Sequence, residues 1–344
     1  MSHLGHTTIT MRDSHLYSLK VALWLFALIL YPLVVSPFFV FQIGAQTLVL
    51  GLIALSLSFL AGYGGMVSLS QLTVAGAAAY TVAIVGASSV STISLGWTPW
   101  LAVALALIVS VLVAVVIGLL SIRTQGIRTI MITLAIGVAF FYLTLQNYTL
   151  FNGFQGFSGI EAPTLFALDL DKPMPFYYVC LALSTVAVLG VVYLSRSTFG
   201  LALQGIRDNE RRMASLGFNV TAHRIAAHAL AGVIAGTGGV LFVYYSHRMS
   251  PGSIHPGALI NLLVIAVLGG LRHPIGAFVG AAFFVLLENF AIDFVSRERF
   301  NLVIGGFFLA VIFLSPDGLL GLWGRMRTLV RPDALRSKPL GNKV

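Results

Sequence analysis

The chain has 344 residues, of which 58% are hydrophobic and only 9% charged. A soluble domain carries about 25% charged residues, so a soluble globule is excluded, and lipid must solvate most of the chain. The net charge of +9 would point to nucleic acid in a soluble protein, but here the position of the charges explains it.

Residues 1–20 are polar and read as a tail, with no cleavage site behind a short apolar core and therefore no signal peptide. Apolar runs of the length that crosses a bilayer, about 20 residues, follow in order. They lie at 21–38, 44–61, 69–88, 99–121, 129–147, 175–195, 223–245, 257–271, 275–293 and 301–315. The expected fold is an all-α polytopic membrane protein of about ten transmembrane helices. Its membrane domain covers 21–315, and a basic tail covers 316–344. The third and eighth runs are rich in Gly and small residues and are the ones suited to broken or re-entrant segments. With the N-terminus inside and ten crossings, sixteen of the 20 Lys and Arg fall inside, and only Lys172, Arg248, Arg297 and Arg299 fall outside. Basic residues concentrate in cytoplasmic loops, so both termini are expected in the cytoplasm and no nucleic-acid partner is needed.

Small residues four apart, as in Gly232 and Gly236 or Gly276 and Gly280, predict close helix packing in lipid. From Gly62 to Ser70 glycines and hydroxyls coincide. That pattern suits a helix broken to expose backbone groups along a pathway.

Catalytic chemistry is missing. None of the four lysines follows a glycine, so there is no Walker A loop, and neither His-Glu-x-x-His nor Gly-x-Ser-x-Gly occurs. His223 and His228 are five apart, too far around a helix to share a face, and no metal site is read there. Glu288 is the one acid clearly inside an apolar run, five residues before Asp293. An interfacial role suits it, with pathway lining as the alternative. So few buried acids argue against ion-coupled transport, and the energy is expected from elsewhere.

The connection 196–222 holds the densest charge in the chain. Asp208 precedes Arg212 by four, which supports a helix, and Gly217 suits a helix stop. A helix resting on anionic lipid would be basic with few acids. Here Asp208 and Glu210 alternate with Arg207, Arg211 and Arg212, which fits a protein partner better.

Five motifs, taken together, resemble the LivM-type permease of branched-chain amino-acid ABC importers. They are Gly62 to Gln71 with Gly76 and Ala79–Tyr80; Arg123 to Ile127 with Thr133 to Ala135; and Asn152 to Ile160. Gly200 to Gly217 is the fourth, and Gly269–Gly270 with Pro274 to Ala277, Gly280–Ala281 and Ser315 to Leu319 is the fifth. The resemblance implies a non-enzymatic transport subunit of a bacterial cytoplasmic (inner) membrane. It implies a second related permease, two cytoplasmic ATPases that carry ATP and Mg, and a periplasmic or extracellular binding protein; this chain itself binds no cofactor. The coupling segment would be Arg207, Asp208, Asn209, Glu210, Arg211, Arg212 and Gly217. It departs from the importer pattern Glu-Ala-Ala-x-x-x-Gly, because Arg211, Arg212 and Met213 occupy the first three places and Glu210 comes one early.

Pathway candidates are Gly64, Gly65, Ser68, Ser70, Gln71, Thr133, Asn261 and Glu288. A zwitterion crossing lipid needs both charged ends satisfied, and the same polar groups serve equally well for bonds between helices. Branched-chain amino acids are the cargo the resemblance implies. Urea, short amides or another small organic solute remain alternatives, with an ion-coupled secondary transporter behind them.

Overall fold

The computed structural model describes residues 28–122, 126–165 and 168–290, with scattered positions beyond them that include 318–321. Helix α1 (Pro37–Gly64) contains a π-helical turn at Val40–Ala45 before its regular part. It is followed by α2 (Gln71–Val85), α3 (Pro99–Ser121), α4 (Ile127–Gln146), α5 (Pro173–Arg196), α6 (Thr198–Asp208) and α7 (Glu210–Ser215). Then come α8 (Val220–Ser246), α9 (Pro256–Gly269) and α10 (Pro274–Phe290). Proline at the first turn opens α3, α5 and α9, where its missing N–H is no loss. Side-chain oxygens of Ser197, Asn209 and Asn219 cap α6, α7 and α8.

Among the described residues five helices, α1, α3, α4, α5 and α8, are long and apolar enough to cross a membrane. Two of the expected runs behave differently. Helix α2 has 15 residues, about 22 Å at the helical rise, which falls short of a bilayer core of about 30 Å. Helices α9 and α10 are bent by 118° at their junction, the geometry of a broken span or a re-entrant loop. The third and eighth runs are thus the short and the bent ones. The run 21–38 is described only from 28, apart from Phe26, and most of 301–315 lies outside the described residues.

Packing is inside-out relative to a soluble protein. Helix α3 buries Ala102, Ala106, Ser110, Ala114 and Gly118, four apart, and presents Ile108, Leu112 and Val116 outward at more than half exposure. In lipid the large apolar side chains need no burial, so small residues line the seams where backbones approach. Gly232 and Gly236 of α8 meet Ala114 and Ser110 of α3, as their spacing predicts, and Gly239 faces the carbonyl of Ala75 on α2. Gly276 and Gly280 of α10 likewise lie backbone to backbone against Gly269 and Ile265 of α9.

At the end opposite α6 and α7, Phe157–Ser158 pairs antiparallel with Arg248–Met249. Ser89 joins this ribbon, its N–H donating to Ser158 O at 2.8 Å. Tyr80, Phe140, Phe151 and Phe157 make edge-on contacts beneath it.

The seams make a test. Gly239→Ala places a methyl into the Ala75 carbonyl and should cost about 1–3 kcal/mol, read as a lower thermal midpoint of the purified protein in detergent. Gly190→Ala on α5 meets open space and should leave the midpoint unchanged or higher. Equal midpoints for the two variants would contradict the packing.

Candidate functional site: the break after α1 and the loop seated on it

Helix α1 ends in a left-handed Gly65 (φ 67°), and the Met66 N–H turns back to Leu60 O at 3.0 Å. A left-handed glycine just past the last turn is a common helix stop, and here the closing bond reaches one residue further back than in a Schellman end. The chain then runs without helix from Met66 to Ser68, makes a turn at Leu69–Ser70 and enters α2 at Gln71. Ser68, Ser70 and Thr133 are all fully buried. The Ser68 and Ser70 hydroxyls lie 2.8 Å apart, and the Leu69 N–H donates to Thr133 Oγ1 at 3.1 Å. The Thr133 hydroxyl in turn donates to Thr129 O at 2.9 Å. Gln71 differs from its neighbours: it is fully buried, and neither amide atom has a hydrogen-bond partner.

The loop seated beside this break is built from two capped helices. Ala202, Leu203 and Ile206 bury the inner face of α6. Asn209 Oδ1 accepts from Arg212 N–H at 3.0 Å and starts α7. Gly217, at φ 90°, turns the chain before Asn219 Oδ1 accepts from Ala222 N–H to start α8. His223 stacks on Phe199 with centroids 5.6 Å apart and meets the edge of Phe218, closing the junction.

The charges expected on one docking face divide in two. Glu210 faces inward, where it accepts from Arg224 Nη2 at 2.9 Å and Nη1 at 3.3 Å. Arg224 is buried at the start of α8. Arg207 lies at the surface, but its guanidinium reaches inward: its Nη1–H donates to Gly62 O, and Nε–H and Nη2–H donate to Asp208 Oδ1 at 2.9 and 2.8 Å. Arg211 and Arg212 remain at the surface with Leu216, Gly217 and Phe218. Within the segment read from the sequence as a mixed-charge docking face, Glu210 is thus paired internally, while Arg207, Asp208 and Asn209 are exposed like Arg211 and Arg212. Arg224, which that reading passed over, provides the internal cation that Glu210 satisfies, so Glu210 does not face outward.

Of the pathway candidates, Gly64, Gly65, Ser68, Ser70, Gln71 and Thr133 come together at the break. Glu288 does not join them. It lies near the other end of α1, where Gln46 Nε2–H donates to its Oε2 at 3.3 Å. Gln46 and Gly64 are separated by about 27 Å of helix. Asn261 stands partly exposed on α9, two residues beyond Leu259, which packs against Gly137 of α4. Arg123, Gln125 and Asp317 lie outside the described residues. The Arg207–Gly62 contact joins residues 145 apart, and no local pattern announces it.

Apolar helices with small-residue seams, a break closed by hydroxyls and a capped polar loop beside it define a multi-pass membrane protein of the transport class. Residues 39–312 match the profile of the branched-chain amino acid transport system permease component. The chain belongs to this family. It is 26% identical to the high-affinity branched-chain amino acid transport system permease protein LivM of Salmonella typhimurium, over 88% of this chain and 76% of the relative. It is 25% identical to LivM of Escherichia coli over the same shares. An autoinducer 2 import system permease protein, LsrC of an Enterobacter species, is 26% identical over 64% of each chain. No solved structure matches the chain.

The inward Glu210 can be checked by proteolysis. Glu210→Gln removes the charge that holds α7 to Arg224, so trypsin should cut after Arg211 and Arg212 several-fold faster than in the unaltered protein. Local opening sets the cleavage rate of such a segment. An unchanged rate would show that the pair does not hold the loop.

Proposed function

We propose that this chain is a permease subunit of an ABC importer that moves branched-chain or related small amino acids into the cytoplasm. It works beside a second, related permease, with two cytoplasmic ATPases that bind ATP and Mg and a binding protein outside. The observation that carries this reading is the family match across residues 39–312, which takes in the helices, the break and the loop together. Both termini and the 196–222 loop face the cytoplasm of a bacterial inner membrane, with about ten crossings, because that arrangement places the basic residues inside. The exposed Arg211, Arg212, Leu216 and Phe218 are the surface offered to an ATPase.

At the break, Ser68 and Ser70 bond each other and Thr133 accepts from the Leu69 N–H, while the Gln71 amide is free to bond a polar solute once the helices part. The LivM relatives favour a branched-chain cargo, since they align along 88% of the chain. The LsrC relative, named for autoinducer 2, supports a second reading in which the same machine carries another small polar solute such as urea or a short amide.

The test is uptake of labelled leucine into proteoliposomes that hold this chain, its partner permease and the ATPases, with the binding protein outside. Uptake should require both ATP and the binding protein, and Glu288→Gln should retain at least part of it. Uptake by this chain alone under an ion gradient, abolished by Glu288→Gln, would overturn the ABC reading. ATPase stimulation by a binding protein loaded with a different solute would change only the cargo.

A further inference from the structure

Arg207 joins the two halves of the site. Its guanidinium reaches Gly62 O in the last turn of α1 and is held in that pose by Asp208. Its aliphatic stem lies over Gly65, where an added Cβ would come within 2.6 Å of Arg207 Cγ. Gly62 O would bond Met66 N–H in a continuing helix, but that N–H has turned back to Leu60 O, and Arg207 takes its place. A cation at a helix C-terminus also meets the negative end of the helix dipole. On its other side Gly62 abuts the carbonyl of Leu271, in the turn between α9 and α10. The last turn of α1 is thus clasped between α6 and that turn, and the non-helical Met66–Ser68 segment begins directly after it.

We infer that Arg207 is a transmission residue rather than a docking one: it carries displacement of the α6–α7 loop into the end of α1 and so into the break that leads to α2. The inference rests on the importer reading above. The neighbouring contact between α6 and α1, Leu203 beside Gly64, is apolar and can slide. A charge-assisted bond from a rigid guanidinium fork is directional and cannot slide without breaking. Arg207 therefore couples motion, and the outward Arg211 and Arg212 supply the grip.

The experiment uses the reconstituted importer with its binding protein and compares Arg207→Lys with Arg211→Glu/Arg212→Glu. Lysine keeps the charge but cannot hold both Gly62 O and Asp208 from one planar fork. The Arg207→Lys complex should keep its full complement of ATPases on purification, while solute imported per ATP hydrolysed falls about tenfold, within the usual range of coupling between sites. The Arg211→Glu/Arg212→Glu complex should lose its ATPases. Gly65→Ala is the second route: it alters no charge and pushes Arg207 from its seat, so it should give the same fall with ATPases retained. It decides the matter if Arg207→Lys does not fold.

Loss of ATPases from Arg207→Lys would make Arg207 a docking residue and overturn the inference. Unchanged import per ATP in Arg207→Lys, or in Gly65→Ala where the lysine variant does not fold, would overturn it as well. Absence of ATP-driven uptake from the unaltered complex would instead overturn the importer reading and this inference with it.

Discussion

Within a bilayer every backbone N–H and C=O must find its partner inside the protein, and the end of α1 is where this chain meets that demand in an irregular way. A helix that stops inside the membrane domain exposes its last carbonyls. Here a left-handed glycine and the Met66 N–H satisfy Leu60, and Arg207 satisfies Gly62. The segment that follows is closed by hydroxyls from its own serines and by Thr133 of α4. Each closing group comes from a different element, so the positions of α4 and α6 follow from the break rather than the reverse. The shortness of α2 follows too, since its first residue is fixed where the hydroxyl cluster ends.

Much of this architecture was legible in the chain because lipid sets the length of an apolar run. The helices Pro99–Ser121, Pro173–Arg196 and Val220–Ser246 lie within a few residues of the runs at 99–121, 175–195 and 223–245. The bend between α9 and α10 was not legible in hydropathy, which records how apolar a segment is and nothing of its direction. The glycines there hinted at a break without fixing its angle. In the loop, Gly217 marked a stop and Asn209 and Asn219 became caps, all local features with local causes.

The direction of the loop charges could not be read in the same way. Mixed Arg and Asp/Glu along a short helix suits an external partner, but an internal cation satisfies the same pattern. Glu210 turns inward because α8 returns beside α7 and brings Arg224 with it. That return depends on the turn at Gly217 and on the packing of His223 between Phe199 and Phe218. Neither Glu210 nor Arg207 differs in type from Arg211 or Asp208. Only the placement of their partners, 14 and 145 residues away, separates an inward role from an outward one.

The two inward contacts end on α1 and α8. These helices are not independent, since Gly238 of α8 seats against Ile53 of α1, and Gly239 of α8 seats against Ala75 of α2. Close-packed seams of this kind have no slack, because a shift by a fraction of an ångström brings backbone against backbone. A displacement of the loop therefore reaches α1 and α8 together and not either one alone. Between α1 and α2 lies a short stretch without helix, Met66 to Ser68. It leads directly to Gln71, whose buried amide has no partner. On the proposed importer reading, a rigid pair of helices on one side and an unsatisfied amide on the other favour that stretch as the place where movement is absorbed and where a polar solute would be met.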